Sequence, residues 1–294
     1  MRAWLRRTAG VVSAGTVAAA LAVGVASRRW HEATERETHQ MTRRAARPVG
    51  AVSFEALESL PAPVARYFRT VLLDGQPRIR SARLAQTGRF RSRESADPAA
   101  GWQRFTATQV FTVEPPGFVW DARIRMAPLV SVRVRDAYVE GHASMLGALL
   151  AVAPVVNESD RRELRAGALQ RYLAESVWFP TALLPRDGLA WSPIDDSHAR
   201  ATLSDGETSA SLDFEFGPGG EIVGAHTTSR LRAVAGEKGR YQELPWGGRY
   251  RRYEDRGGIR VPVESEVYWV VDGREQPYYR GRNVGVDFDY GGDQ

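Results

Sequence analysis

Short segments in which apolar and polar side chains alternate recur from Ile79 almost to the C-terminus of this 294-residue chain. In residues 130–134 the Val side chains point to one face and the Ser and Arg side chains to the other, as in a half-buried strand. Turn-forming residues separate these segments. The predicted strands are 81–92, 102–113, 117–126, 130–139, 199–204, 208–216, 221–232, 248–255, 259–271 and 276–288. The pattern predicts a mainly β fold.

Helical patterns interrupt this series. Residues 54–69 predict one broken or two short helices before the first strand. Residues 144–156 are apolar and uncharged and are predicted to be helical, with Asn157 as the N-cap of a further helix over 160–178. The apolar stripe of that further helix comprises Leu164, Ala168, Leu169, Tyr172 and Leu173.

A sheet of about ten strands must pack on something or close on itself to bury its inner face. The apolar helices provide the natural filling. We therefore predict mainly β structure with helices (α+β): a long curved antiparallel sheet or open barrel packed around two or three helices, preceded by one N-terminal transmembrane helix. This arrangement is favoured over a two-sheet sandwich.

The N-terminal region contains an uncharged run, residues 8–27, which is long enough as a helix to span about 30 Å, the thickness of the bilayer core. Arginines flank the run, namely Arg2, Arg6, Arg7, Arg28 and Arg29. Two interpretations stay open. An uncleaved signal anchor explains the full length and the arginine stop, whereas Ala20-Leu21-Ala22 is typical of a cleaved signal peptide. The anchor is favoured, with membrane lipid as the partner of residues 8–27.

The anchor divides the chain into a membrane segment (1–29), a basic juxtamembrane linker (30–52) and a single β-rich soluble domain (53–294). We expect a single-pass membrane protein. The signal-like start favours an extracytoplasmic domain, whereas the arginine count on the two sides favours a cytoplasmic one. The sequence leaves the side of the membrane and the oligomeric state open.

Positive charge is concentrated beside the membrane segment. The chain has a formal net charge of +5, but residues 1–47 carry nine Arg against three Glu, so the remainder is nearly balanced. A balanced domain lacks the basic excess of a nucleic-acid-binding surface, and no nucleic acid partner is expected. The absence of Cys excludes disulfides, thiolate metal sites and a cysteine nucleophile. The five His are scattered and no phosphate, dinucleotide or hydrolase motif occurs, so no metal or cofactor is predicted.

The strongest candidate for chemistry is Glu175, at the edge of the apolar stripe of the predicted helix. Arg171 lies one turn earlier and can pair with it. With Trp178 and Thr181 close by, Glu175 is a candidate general base or ligand anchor. The alternative is an ion pair that fixes the helix on the sheet.

Aromatic residues of the later strands are candidates for lining a pocket, although a sheet core would give the same pattern. The ligand-binding candidates are Arg171, Glu175, Trp178, Thr181, Trp191, Arg230, Trp246, Tyr250 and Trp269.

Four segments resemble an uncharacterised bacterial family with a domain of unknown function. They are Leu60-Pro-Ala-Pro-Val-x-x-Tyr, Pro116-Gly-Phe-Val-Trp, Asp136-x-Tyr-x-x-Gly and Arg171-Tyr-Leu-Ala-Glu-Ser-x-Trp-x-Pro-Thr-Ala-Leu-Leu-Pro. The resemblance covers most of residues 55–290 and implies an N-terminal membrane helix, but it supplies no activity. The inferred topology is also similar to the open half-barrels of envelope lipoprotein carriers, which hold acyl chains between sheet and helices; this likeness is one of fold alone.

Three functions follow as hypotheses. The favoured one is a membrane-tethered, non-catalytic protein that binds a lipid or other apolar ligand between the curved sheet and the helices. The second is an envelope hydrolase or transferase in which Glu175, with a raised pKa, acts with Thr181, Asp195 or Arg230. The third is a scaffold that binds another envelope protein through an exposed apolar patch.

Overall fold

The computed structural model describes residues 2–91, 99–234, 237 and 239–292, with side chains described from residue 18 onward apart from residue 19. The α-helices are α1 (Arg2–Arg44), α2 (Ala62–Val71) and α3 (Arg162–Glu175), with 3₁₀ turns at Ala56–Ser59, Ser176–Trp178 and Pro180–Leu183. The strands are β1 (Ser81–Arg91), β2 (Trp102–Thr112), β3 (Gly117–Ala127), β4 (Val130–Val139), β5 (His142–Leu149), β6 (Ala153–Ser159), β7 (Leu189–Pro193), β8 (His198–Asp205), β9 (Thr208–Phe216), β10 (Ile222–Ala233), β11 (Tyr241–Asp255), β12 (Arg260–Val271) and β13 (Arg274–Asp289).

The strands of the described residues form one antiparallel sheet of 13 strands, in the order β6-β5-β4-β3-β2-β1-β13-β12-β11-β10-β9-β8-β7. Strands β1 and β13 are far apart in the sequence but pair with each other, and this pairing joins the first six strands to the last seven. Strands β6 and β7 end the order, so the sheet is not closed within the described part of the chain. The prediction of a mainly β fold with a long antiparallel sheet is confirmed.

The sheet curls around α3. This helix packs on β9 and β10 and also touches β4 and β5. Strands β4 and β10 are seven strand spacings apart in the sheet order. In a flat sheet that separation would be about 34 Å, whereas a helix is about 10 Å across. One helix can touch both regions only because the sheet bends round it.

Two predicted helices need correction. Residues 144–156 are not helical: they belong to the hairpin of β5 and β6, and Asn157 lies within β6 instead of capping a helix. The hairpin forms because Leu150 and Ala151 adopt the left-handed conformation at its tip. The helix predicted over 160–178 is shorter, since α3 ends at Glu175 and continues as a 3₁₀ turn. The short strand β7 is absent from the sequence prediction.

The inner face of the sheet, which faces α3, holds the main core. Phe111 of β2 packs on Phe179, just after α3, with ring centroids 4.5 Å apart, and Tyr172 of α3 lies against the same pair. The three rings are fully buried. This part of the interior is therefore filled by aromatic side chains.

The outer face carries the last turns of α1. Met41 forms a small apolar cluster with Val110, Val119 and Ala137, whose side chains alternate with the inward-facing ones. Trp30 donates a hydrogen bond from Nε1 to Asp121 Oδ1 at 2.9 Å. Residues 30–44 of the predicted linker are therefore the packed C-terminal end of α1.

The predicted membrane segment falls largely outside the described side chains, since residues 8–17 and 19 are described only as backbone of α1. Within the part that is described, no helix combines the length and apolar character needed to cross a membrane.

Candidate functional site

A network of charged and amide side chains lies between α3 and the inner face. Arg171 of α3 donates from Nη1 to Asp136 Oδ2 at 2.6 Å and from Nε to Glu175 Oε1 at 2.9 Å. Gln109 donates from Nε2 to the other oxygen of Glu175, Oε2, at 2.7 Å. Both Glu175 oxygens are thus occupied. The arrangement confirms the geometry expected of a pair one helical turn apart.

Strand register brings the sheet side of this network together. Gln109 of β2, Trp120 of β3 and Asp136 of β4 are direct cross-strand neighbours on the inner face. The guanidinium of Arg171 lies 4.9 Å from the ring centroid of Phe118 and 5.0 Å from that of Trp120. The cation is therefore held by two carboxylates and flanked by two aromatic rings.

The network extends across β1 to β13. Trp120 donates from Nε1 to Gln86 Oε1 at 2.9 Å, and Gln86 donates from Nε2 to Asn283 Oδ1 at 3.1 Å. Gln86, Gln109 and Asn283 are buried. Gln109 Oε1 and Asn283 Nδ2 have no hydrogen-bond partner among the described residues. A polar strip thus crosses an otherwise apolar inner face.

Burial and pairing set the protonation of the ion pair. Burial raises the pKa of Glu175, and the charge and hydrogen bond of Arg171 act in the opposite direction. Burial acts to lower the pKa of Arg171, but Glu175 and Asp136 raise it above its usual range. Arg171 is therefore charged, and Glu175 is a weaker acid than an exposed glutamate.

Arg230 of β10 lies in different surroundings. Its guanidinium is 4.6 Å from the ring centroid of Trp246 and 5.9 Å from that of Trp269. Its hydrogen bond goes from Nη1 to the amide oxygen of Gln170 at 3.2 Å. No carboxylate of the described residues pairs with it. Burial lowers the pKa of Arg230, with the charge of Arg171 acting in the same direction.

Aromatic side chains of β11 to β13 surround Arg230. Trp246 donates from Nε1 to the hydroxyl of Tyr278 at 3.0 Å, and Trp269 stacks on Tyr278 with centroids 6.3 Å apart. Trp269, Tyr278 and Tyr279 are only half-buried. We name the set of Arg230, Trp246, Trp269 and Tyr278 the aromatic–arginine site. It combines accessible ring surface with the guanidinium of Arg230, and the guanidinium of Arg232 lies 5.4 Å from the centroid of the Trp269 ring.

The structure brings some of the predicted site residues together and separates others. Arg171 and Glu175 form the ion pair, while Arg230, Trp246 and Trp269 share the aromatic–arginine site. The remaining candidates make contacts elsewhere in the core. Trp178 packs on Phe111, the Thr181 hydroxyl accepts from the Ile79 amide, Trp191 donates to the Leu183 carbonyl, and Tyr250 donates to the Ala174 carbonyl.

The side chains proposed as catalytic partners of Glu175 are engaged away from it. Thr181 is buried at the Ile79 amide. Asp195 lies in an exposed turn, where it accepts from the Ser197 amide and contacts His198. That backbone amide, with His198, lowers the pKa of Asp195 to about 2. No cluster of metal-binding side chains is found in the described ranges.

Sequence reasoning missed Gln86, Gln109, Gln170 and Asn283, and it named Asp136 only within a motif of the resemblance. The sequence does contain a signal that could identify the strand residues of this network. Gln109 lies between Ala107 and Phe111 in the same parity, where an apolar residue is expected. A polar residue at an inward position therefore marks this network.

The class of this protein is defined by an open antiparallel sheet packed around α2 and α3, with a buried ion pair and an aromatic–arginine site. The chain belongs to a family of unknown function, DUF6544, whose model matches residues 50–281. This confirms the resemblance to a family of unknown function. Among curated proteins, none matches the chain.

Two solved structures are similar to this chain. One is a LolA superfamily protein from Nitrosomonas europaea, at 11% identity and a TM-score of 0.31, covering 81% of this chain and 94% of that chain. The other is a β-barrel-like protein of the domain of unknown function DUF1849 from Brucella abortus, at 11% identity and a TM-score of 0.21, covering 72% of this chain and 99% of that chain.

Proposed function

We propose that this protein is a membrane-tethered binding protein that holds a lipid or other apolar ligand with an anionic group between sheet and helices. The observation that carries the proposal is Arg230, a guanidinium at a half-buried aromatic surface with no carboxylate partner in the described part of the chain.

The contrast between the two inner arginines supports an anionic group on the ligand. Arg171 is neutralised by Asp136 and Glu175. Among the described residues Arg230 contacts an amide oxygen and ring faces but no carboxylate, and burial disfavours its charged form. A buried cation is stabilised by a hydrogen-bonded anion, and such charge-assisted bonds are among the strong ones. A ligand carboxylate or phosphate supplies that anion.

The rings beside Arg230 support an apolar remainder of the ligand. Trp269 and Tyr278 keep part of their surface accessible while their other faces pack on the core. Binding sites for small ligands combine apolar and aromatic walls with a few placed polar groups. An acyl chain laid along these rings buries apolar area at about 25 cal/mol per Å².

The catalytic hypothesis receives less support. A general base needs a free oxygen near the substrate, and both Glu175 oxygens accept hydrogen bonds from side chains of the protein. Burial accounts for its raised pKa, with Arg171 acting in the opposite direction. We therefore assign Glu175 a positioning role at the inner face.

The test compares two ligands that share one chain and differ in head group. Oleate and oleyl alcohol are titrated into the full-length protein and binding is followed by tryptophan fluorescence. We expect oleate to bind more tightly. Arg230→Gln should weaken oleate binding at least about tenfold, the effect of one charge-assisted hydrogen bond, and leave oleyl alcohol within about twofold.

Arg200→Gln is the matched control, because Arg200 lies on an exposed strand position paired with Asp213. It should bind both ligands as the unmodified protein does. Circular dichroism checks that each variant is folded. Absence of binding of either ligand to the unmodified protein, together with no copurified lipid in native mass spectrometry, would overturn the proposal.

A further inference from the structure

One end of the sheet exposes an unusual amount of apolar side chain. The β3–β4 turn presents Leu129, which is 92% exposed, together with Met126. The β5–β6 turn presents Val152, with Val155 close behind it in β6. Hairpin turns normally carry Gly, Asn, Asp or Ser, so apolar tips at neighbouring turns require an explanation.

The two turns lie side by side. Val132 of β4 pairs with Leu149 of β5, and the Leu150 amide donates to the Ser131 carbonyl at 2.8 Å. The tips are also conformationally demanding, because Leu129 and Ala151 have φ values of 66° and 61°. The left-handed region disfavours such residues, so the tips keep apolar side chains at some cost in backbone energy.

The helix α1 extends the same apolar surface. Its residues Leu21, Ala22, Val25 and Ala26 form a groove with Ala151 and Val152. Leu21 and Val25 are exposed. We name the set of Met126, Leu129, Val152, Leu21 and Val25 the apolar end. It is built from two neighbouring hairpins, of which the β5–β6 hairpin forms a groove with the helix.

The chain and its charges indicate which partner covers the apolar end. From Leu21 the uncharged run continues back to Thr8, so the surface is contiguous with the most apolar stretch of α1. Exposed Arg28 and Arg29 follow on α1, and exposed Arg123 and Arg125 lie on β3 beside Met126. Apolar tips ringed by arginines match the interface of an anionic bilayer, where apolar groups enter the acyl boundary and cations meet head groups.

We propose that the apolar end docks on a lipid bilayer with anionic head groups, so that the hairpin tips at Leu129 and Val152 insert beside α1. The contact is independent of the ligand proposed for the aromatic–arginine site. It gives the domain a second attachment to the membrane besides residues 8–27.

The absence of native Cys allows a clean test with single labels. Leu129→Cys and Val152→Cys in the full-length protein are labelled with the fluorophore NBD and mixed with phosphatidylcholine–phosphatidylglycerol vesicles. We expect a blue shift of NBD emission and quenching by brominated acyl chains at both positions. His142→Cys, an exposed position at the start of β5 and so at the opposite end of the strands, is the matched control and should show neither.

A second variant set tests the energetics. Leu129→Asp with Val152→Asp should reduce quenching of a label placed at Met126, while the protein stays folded by circular dichroism. Arg29→Gln with Arg125→Gln should weaken the response on anionic vesicles. Labels that stay in water on vesicle-bound protein would overturn the proposal. A blue shift that depends on protein concentration without lipid would also overturn it, since the apolar end would then bind protein.

Discussion

At the scale of single residues, two arginines on the same inner surface have different surroundings. Arg171 joins the helix to the sheet, because its guanidinium reaches Asp136 on β4 and Glu175 on its own helix. Arg230 makes no ion pair among the described residues: it donates to the amide oxygen of Gln170 on α3 and lies over tryptophan rings. Replacing the first should affect folding, and replacing the second should affect binding.

The folding role of Arg171 gives the first prediction. Arg171→Met leaves two largely buried carboxylates without their cation, and breaking a buried pair from one side lowers the free energy of unfolding by about 3–5 kcal/mol. Urea denaturation followed by tryptophan fluorescence measures this loss. The control Arg200→Met removes an exposed pair with Asp213 and should change the free energy of unfolding by at most about 1 kcal/mol. Equal losses for the two variants would contradict the role of Arg171.

Glu175 gives a prediction for pH. Burial raises its pKa in the folded protein above the ordinary 4.5. Its contribution to the free energy of unfolding is therefore largest below that ordinary value and declines as pH rises through the folded pKa. Glu175→Gln lacks this decline, so the unmodified protein should lose stability relative to the variant as pH rises above about 4.

Asp289 provides the control of opposite sign. Burial acts to raise its pKa, but the Gly291 amide, Arg80 and Ser81 hold it below the ordinary 3.8. Its contribution is present above 3.8 and is lost as pH falls through the folded pKa. Denaturation series across pH should therefore give difference curves of opposite slope for Glu175→Gln and Asp289→Asn. Parallel curves would contradict the assignment.

At the scale of elements, the alternation of side chains predicted most strands to within a few residues. The prediction succeeded because these strands bury one face, so that apolar and polar residues alternate along their sequence. The hairpin of β5 and β6 was predicted wrongly, since residues 144–156 are apolar without a clear period. Strand β6 lies at the edge of the sheet, where Pro154 is tolerated and both faces are exposed, so no alternation marks it.

The candidate site was less predictable than the strands. The pair of Arg171 and Glu175 follows from helical spacing, which the sequence contains. The contacts of that pair with Gln109 and Asp136 depend on strand register over 35 to 66 residues, which no local pattern encodes. The same is true of Arg230 and Trp246, which the β10–β11 register brings together.

Close packing of β1 against its neighbours gives a prediction at this scale. A Cβ added to Gly88 would lie 2.1 Å from the Arg280 carbonyl oxygen and 2.7 Å from the Phe105 ring. Gly88→Ala should therefore destabilise the sheet by about 1–3 kcal/mol or more, as overpacking does. Gly285→Ala on the same β1–β13 ladder is the control, because its nearest neighbour is the Ala85 Cβ at 3.5 Å. Thermal unfolding compares the two, and equal midpoints would argue against the register described.

At the scale of the whole molecule, α1 is attached to the outer face through a few side chains. The Trp30 ring lies 5.4 Å from the guanidinium of Arg135, which also pairs with Glu37 at 3.0 Å. Thr34, Thr38 and Met41 of α1 are buried against the sheet. These contacts fix the last four turns of the helix to β2, β3 and β4.

Trp30→Ala tests this attachment in the full-length protein. Loss of the ring and of the bond to Asp121 should loosen α1, raising amide hydrogen exchange in residues 30–44 roughly tenfold, which corresponds to about 1.4 kcal/mol of local opening. Amides of β8 and β9, far from α1, should keep their protection. Arg28→Ala, which removes an exposed pair with Glu32, should leave exchange unchanged. An unchanged pattern for Trp30→Ala would show that other contacts hold the helix.

The fusion of α1 to the sheet has a mechanical consequence. A flexible linker would let the domain take up any orientation within the reach of the linker. A helix that continues into the sheet packing without a break instead holds the aromatic–arginine site in one fixed direction relative to the helix axis. Under the proposed function, a molecule that delivers or receives the ligand would have to approach from that direction, and inserting one residue before Trp30 would turn the site by about 100° about the helix axis.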